Sequence, residues 1–416
     1  MSTCLDHSSR ATPLARITSI LDVREDEPTS ASATPAPTRA PSRLASIDVL
    51  RGLIIVIMAL DHVRDYFTDV RFNPLDPTQT SAMLYVTRWI TNYCAPTFVL
   101  LAGVSAYLVG RRCTTRELSV FLLTRGLWLA FLEIAVISVE WAFNFRFELG
   151  PILQVMWAIG MSMVVLSGLV HLPVRIVGAI GVTICVFHNL LDGVPMPESA
   201  VLKTVWAILH VESYVAIGYV HYPLIPWVGV MASGYALARV FDMDAARRQR
   251  MLIGLGACMV ALFFDLRLVN SYGDPVPWSP QSDHLTTLMS FFNVKKYPPS
   301  LDYLLVTLGP ALLLLANLEN VRGRFTDILQ VFGRVPLFFY VLHLALAHLA
   351  AGLLAMAMGY GDAVLNNLPR NFPKEWGFGL PAVYLAWLLV VVTLYPACRW
   401  FGDVKRRRRD WWLSYL

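Results

Sequence analysis

Residues 47–62 read Ile47-Asp48-Val49-Leu50-Arg51-Gly52-Leu53-Ile54-Ile55-Val56-Ile57-Met58-Ala59-Leu60-Asp61-His62. The run is apolar enough to enter a bilayer, yet it holds an arginine and a histidine. Ionisable groups inside a spanning helix are costly, so they face a cavity or a partner helix and mark function. Arg51 and His62 are eleven residues apart, which is about three helical turns, or about 16 Å along one face. Met58 lies between them on that stripe. Asp65 follows one turn after His62, in position to orient its ring. One helix therefore carries a cation towards one membrane surface and an acid/base group near the other.

The rest of the chain has the same character. It has 416 residues, 56% hydrophobic and 15% charged, with a mean hydropathy of +0.54. A soluble fold of this length could not hide so much apolar surface, so an all-α polytopic membrane helix bundle is expected. Ten segments read as spans, at about 47–67, 88–110, 119–142, 151–170, 174–191, 222–240, 250–268, 299–317, 334–358 and 380–400. The 18-residue fifth is the weakest of them. Trp141, Trp227, Trp376 and Trp411-Trp412 suit interfacial belts.

Basic residues set the orientation. With ten spans both termini share a side, and that side collects 23 Lys and Arg against 10 opposite, with Arg51 inside the membrane. Both termini are thus expected in the cytoplasm, with His62 at the outer end of the first span and Arg51 in its inner half. Residues 1–42, rich in Ser, Thr, Ala and Pro, read as a disordered cytoplasmic tail. Residues 43–404 form the transmembrane domain, and 405–416, opening on Lys405-Arg406-Arg407-Arg408-Arg409, form a basic cytoplasmic C-terminus. The net charge of +5 is mostly this bias and does not call for nucleic acid; membrane lipid is the expected contact. Outer loops at about 192–221, 269–298 and 359–379 are long enough to cap a site.

Several side chains beyond the first span could carry chemistry. Arg125, Glu133 and Glu140 belong to the third; the two glutamates, seven residues apart, share a helical face. They could relay protons or simply bond a neighbouring helix. In the ninth, Tyr340 and His343 are one turn apart and can face the cavity of His62, whereas His348 points elsewhere. Lys295-Lys296-Tyr297-Pro298-Pro299-Ser300-Leu301 reads as an interfacial anchor or an acceptor-binding loop. No Walker loop, dinucleotide glycine pattern, nucleophile elbow or zinc-protease motif occurs, and neither a metal nor a permanently bound cofactor is expected.

Arg43-Leu44-Ala45-Ser46-Ile47-Asp48-Val49-Leu50-Arg51-Gly52, with Met58 and His62, resembles the opening of the heparan-alpha-glucosaminide N-acetyltransferase catalytic-domain family. Ala95-Pro96-Thr97-Phe98, Thr124-Arg125-Gly126-Leu127-Trp128-Leu129, Pro226-Trp227-Val228-Gly229-Val230-Met231, Lys296-Tyr297-Pro298-Pro299-Ser300-Leu301 and Phe339-Tyr340-Val341-Leu342-His343 extend the resemblance in order. It implies a membrane-bound acyltransferase moving an acetyl group from cytoplasmic acetyl-CoA, or another acyl-CoA, to a sugar or glycolipid acceptor across the membrane. A bacterial inner (plasma) membrane is the expected location. In the lysosomal members asparagine matches His62, and the catalytic histidine falls about eleven residues later, where an ungapped count puts Asn73. N- and O-acylation both stay open.

On this reading His62, oriented by Asp65, is the base. Tyr340, His343 and Glu133 assist, and Arg51 with Arg125 binds the acyl-CoA. A transporter or lipid flippase, a non-catalytic scaffold and a homo-oligomer remain alternatives from the same residues.

Overall fold

The computed structural model describes residues 43–144, 150–408, 410 and 413; the expected N-terminal tail and the Trp411-Trp412 pair lie outside them. Ten helices match the ten expected segments: α1 (Arg43–Phe67), α2 (Ala82–Gly110), α3 (Thr115–Glu140), α4 (Val155–Leu169), α5 (Val174–Leu191), α7 (Leu224–Asp242), α8 (Ala245–Val269), α10 (Leu301–Leu318), α12 (Pro336–Ala357) and α13 (Leu380–Arg407). Eight are long and apolar enough to cross a membrane. The other two are α1, which carries Arg43, Asp48, Arg51, Asp61, Arg64 and Asp65, and α4, which has only 15 residues. Segment 174–191, expected to be the weakest, meets the length; segment 151–170 falls short because its first residues form a strand. Three further helices, α6 (Ala200–Leu209), α9 (His284–Phe292) and α11 (Arg324–Arg334), lie between spans. The chain is an integral membrane bundle of α-helices.

α1 is the hub, packed against α2, α10, α11, α12 and α13. Ile47, Leu50, Ile54 and Met58, at three- and four-residue spacing, are buried along one side. Its crossing with α11 is close because both helices put glycine at the contact. A Cβ on Gly52 would stand 1.8 Å from the Leu329 carbonyl oxygen, and one on Gly333 1.8 Å from that of Asp48. α3 and α4 cross the same way through Gly126 and Gly160. Between membrane helices, small residues take the place of hydrophobic drive by allowing backbones to approach.

At the end of the bundle nearer His62 the chain forms a small sheet, ordered β1 (Ile152–Leu153), β3 (Gly218–Val220), β2 (Ser213–Val215). β1 runs parallel to β3; β2 and β3 form a hairpin in the register Ser213 to Val220. Gly218, at φ +129°, supplies the turn that an L-residue would strain to make.

Two expectations change. Trp141, Trp227 and Trp376 are buried rather than at the lipid interface; the Trp376 indole donates to the Tyr66 carbonyl at 3.0 Å. α13 continues through the expected boundary at residue 404 to Arg407.

Candidate active site

Along α3 the regular helix is interrupted by a π turn at Glu133–Ile137, which inserts one residue into the usual spacing. The Ser138 hydroxyl donates to the Glu133 carbonyl at 2.9 Å and so covers a group the wide turn exposes. Glu133 itself is completely buried, and one carboxylate oxygen accepts from the amides of Met156 and Trp157, at 2.9 and 3.2 Å. Those amides open α4, where backbone N–H groups lack partners and attract negative charge. Glu133 therefore anchors α4, while its other oxygen has no hydrogen-bond partner among the described residues. Glu140 stays close enough to feel its charge, as a shared face requires.

His62 sits one helical turn before Tyr66 on α1, and α12 brings His343 to it. Nδ1 of His62 lies 2.8 Å from Nε2 of His343, with the rings stacked 13° from parallel. Nδ1 of His343 lies 2.9 Å from the Phe339 carbonyl oxygen, which can only accept. In the neutral pair that ring nitrogen carries the hydrogen, so Nε2 of His343 is an acceptor. It receives the Nδ1–H of His62. The remaining nitrogen of His62, Nε2, is left with a lone pair. Tyr340 joins the pair edge-on, 5.9 Å from the His62 ring and 5.5 Å from the His343 ring. Its hydroxyl is buried and has no hydrogen-bond partner among the described residues. Trp141 closes another side of His62 at 5.4 Å.

Asp65 does not orient the histidine as the sequence spacing suggests. Its carboxylate takes the Arg64 guanidinium at 2.6 Å, and Arg64 also reaches Asp61 at 2.9 Å. A guanidinium outcompetes a neutral imidazole for a carboxylate, because the bond is charge-assisted. Arg88, from α2, approaches Asp61 at 3.7 Å and donates to Thr91 and Asn92. Lys296 completes this end: its charge acts on His62 and Asp61, and its ammonium lies 5.2 Å over the Tyr297 ring. The Lys296-Tyr297 segment thus reaches the histidine end of α1.

Three turns away, Arg51 pairs with Asp48 at 3.3 Å and donates to the Ser105 hydroxyl. Arg334 and Lys405 also act on Asp48, and Arg125 and Arg51 act on Lys405. Three cations, Arg51, Arg334 and Lys405, thus act on one carboxylate. Arg51 and Arg125, picked out separately in the sequence, both act on Lys405. Lys405 escaped notice because the run after it reads as a cytoplasmic anchor. The available signal is the stripe of Val390, Leu394, Cys398 and Phe401, all buried on α13, which Lys405 continues.

His348 belongs to a separate network. Its nitrogens face the carbonyls of Glu140 at 2.7 Å and Val364 at 3.0 Å, and its ring is stacked between Tyr66 and Phe143. Asn73 lies in the exposed loop after α1, where its side chain accepts from the Leu75 amide at 3.1 Å. Among the described residues no three His, Cys, Asp or Glu side chains are grouped to hold a metal.

The site is thus a helical membrane bundle with a histidine pair at one end of its central helix and cations at the other. Residues 43–263, just over half of the chain, match the family described as heparan-alpha-glucosaminide N-acetyltransferase, catalytic. The chain belongs to that family, and with it to the membrane acetyltransferases. No curated protein matches it.

Proposed function

We propose that the protein transfers an acetyl group from acyl-CoA, taken from the cytoplasm, to a sugar or glycolipid acceptor at the opposite face of the bacterial inner membrane. The observation that carries the reading is the free Nε2 of His62, fixed by its bond to His343. Nε2 takes the proton from the acceptor hydroxyl or amine as that atom attacks the thioester carbonyl. The carbon–sulfur bond then breaks, and the imidazolium returns its proton to the departing thiolate. The unpartnered Tyr340 hydroxyl is available to donate to the oxyanion that forms in between.

Arg51, Arg125 and Lys405 suit the phosphates of the donor, since guanidinium and ammonium groups recognise phosphate by charge-assisted bonds. The pantetheine arm, with two amide units in line, would follow α1 from the phosphates to the thioester. No covalent enzyme intermediate is needed, though an acyl group resting on His62 Nε2 is the chemical variant.

Envelope-glycan mass spectrometry on a deletion strain tests the reading. It should show the loss of one acetyl mass per modified sugar, restored by the wild-type gene and not by His62→Gln. An unchanged glycan and lipid profile would refute it.

A further inference from the structure

The hairpin register that pairs Ser213 with Val220 brings the flanking residues Glu212 and His221 opposite each other at its open end. Nδ1 of His221 lies 2.5 Å from a Glu212 carboxylate oxygen, which also receives the Tyr219 hydroxyl. Backbone bonds from His221 and Tyr222 to the Leu153 carbonyl, both 3.1 Å, hold this end of the hairpin on β1. The His221 ring then packs 3.8 Å from Tyr297, the ring that Lys296 overlies, with Tyr222 beside both. Tyr222 in turn lies within electrostatic reach of Tyr340, and Lys296 acts on both His221 and His62. A further histidine, this one with a carboxylate behind it, therefore faces the Lys296-Tyr297 segment that reaches the histidine end of α1.

A carboxylate accepting from Nδ1 fixes the tautomer and leaves Nε2 as the basic nitrogen. Burial holds His221 below the ordinary histidine range, against the pull of the Glu212 hydrogen bond and charge, and Lys296 and Arg88 push it down further. The ring is thus neutral at neutral pH, with the lone pair of Nε2 available.

Given the acetyl-transfer reading above, we propose that His221, positioned by Glu212, is a second base that removes the proton an ammonium acceptor must shed before it can attack. An amine that arrives protonated loses two protons on the way to an amide. In the first step R–NH3+ gives a proton to His221 Nε2, and the neutral amine is freed; His221 passes that proton to water. In the second the amine attacks the thioester, the carbon–nitrogen bond forms and the carbon–sulfur bond breaks. His62 takes the second proton and delivers it to the thiolate. The charges balance as one acetyl amide, one free thiol and one proton released. The cations Lys296 and Arg88 disfavour a standing positive charge on either partner, so the proton does not rest on His221 and passes on to water.

The full-length protein in detergent, given acetyl-CoA, can be assayed with glucosamine and with hydroxylamine, whose amine is already neutral at neutral pH. His221→Gln should lower kcat/KM for glucosamine by at least about tenfold near pH 6.5. The defect should shrink as pH rises and glucosamine deprotonates unaided, and hydroxylamine transfer should stay near wild type. Glu212→Gln should show a weaker form of the same profile, and His62→Gln should lose both acceptors. Normal glucosamine transfer by His221→Gln, or an equal, pH-independent loss with both acceptors, would overturn the second base while leaving acetyl transfer intact. Wild-type protein acting on neither acceptor would overturn both readings.

Discussion

His62 and His343 are 281 residues apart in the chain and 2.8 Å apart in space, Nδ1 to Nε2. His343 is wholly buried and bound to the Phe339 carbonyl, so it has one free nitrogen and offers it to His62 as an acceptor. In this arrangement a neutral histidine takes the orienting place that Asp65 was expected to fill.

The two members should respond differently to mutation. His62→Gln keeps a hydrogen-bond donor but cannot exchange a proton near neutral pH. Acetyl transfer should fall on the order of a hundredfold or more, with expression and melting unchanged. His343→Leu leaves the base present but unaimed, so a smaller loss, about tenfold, is expected at unchanged KM for acetyl-CoA. Steady-state kinetics on both variants checks the order; a His62→Gln enzyme that keeps most of its activity would move the base elsewhere.

Donor binding should depend on the opposite end of α1. A ligand that binds only the folded state raises its apparent stability. Acetyl-CoA should therefore raise the melting temperature of the purified protein, and Arg51→Ala should diminish that rise more than His62→Ala does. S-acetyl-pantetheine, which lacks the phosphates, should stabilise wild type and Arg51→Ala alike. An equal effect of acetyl-CoA on wild type and Arg51→Ala would remove the cationic cluster from the donor site.

What the sequence disclosed and what it hid divide along physical lines. The Asp48–Arg51 and Asp61–Arg64 pairs follow from spacing alone, because residues three apart on a helix are neighbours. All ten spanning segments had helical counterparts, since hydropathy measures the property the bilayer selects. His62, His343 and Tyr340 could each be singled out as polar groups in apolar helices, but not as a cluster, because helix packing brings them together. Asp65 misled because sequence proximity says nothing of competition from Arg64. The Glu212–His221 pair was hidden because it flanks strands of three residues, too short to show alternation.

The α1–α11 crossing makes a prediction about stability alone. Gly52→Ala puts a methyl group 1.8 Å from the Leu329 carbonyl oxygen, a contact that only separation of the helices can relieve. Overpacking of this kind costs about 2 kcal/mol. Gly333→Ala should cost a similar amount, since its Cβ meets the Asp48 carbonyl at the same distance. Thermal melts of the two variants should both shift down. A melt unchanged in either would mean that the helices are not held this close.

Sidedness rests on the excess of basic residues on one set of loops, 23 against 10. Asp283 caps α9 at an exposed position in the 269–298 loop, expected outside. Arg247 opens α8 and is also exposed, whereas its neighbour Arg248 is buried in a bidentate bond with Glu319 and would be a poor probe. An impermeant thiol reagent applied to whole cells should label a cysteine placed at Asp283 and spare one at Arg247, with both labelled after lysis. The opposite pattern would put Arg51, Arg125 and Lys405 on the outer face. Cytoplasmic acyl-CoA could not then reach them, and the donor assignment would fall.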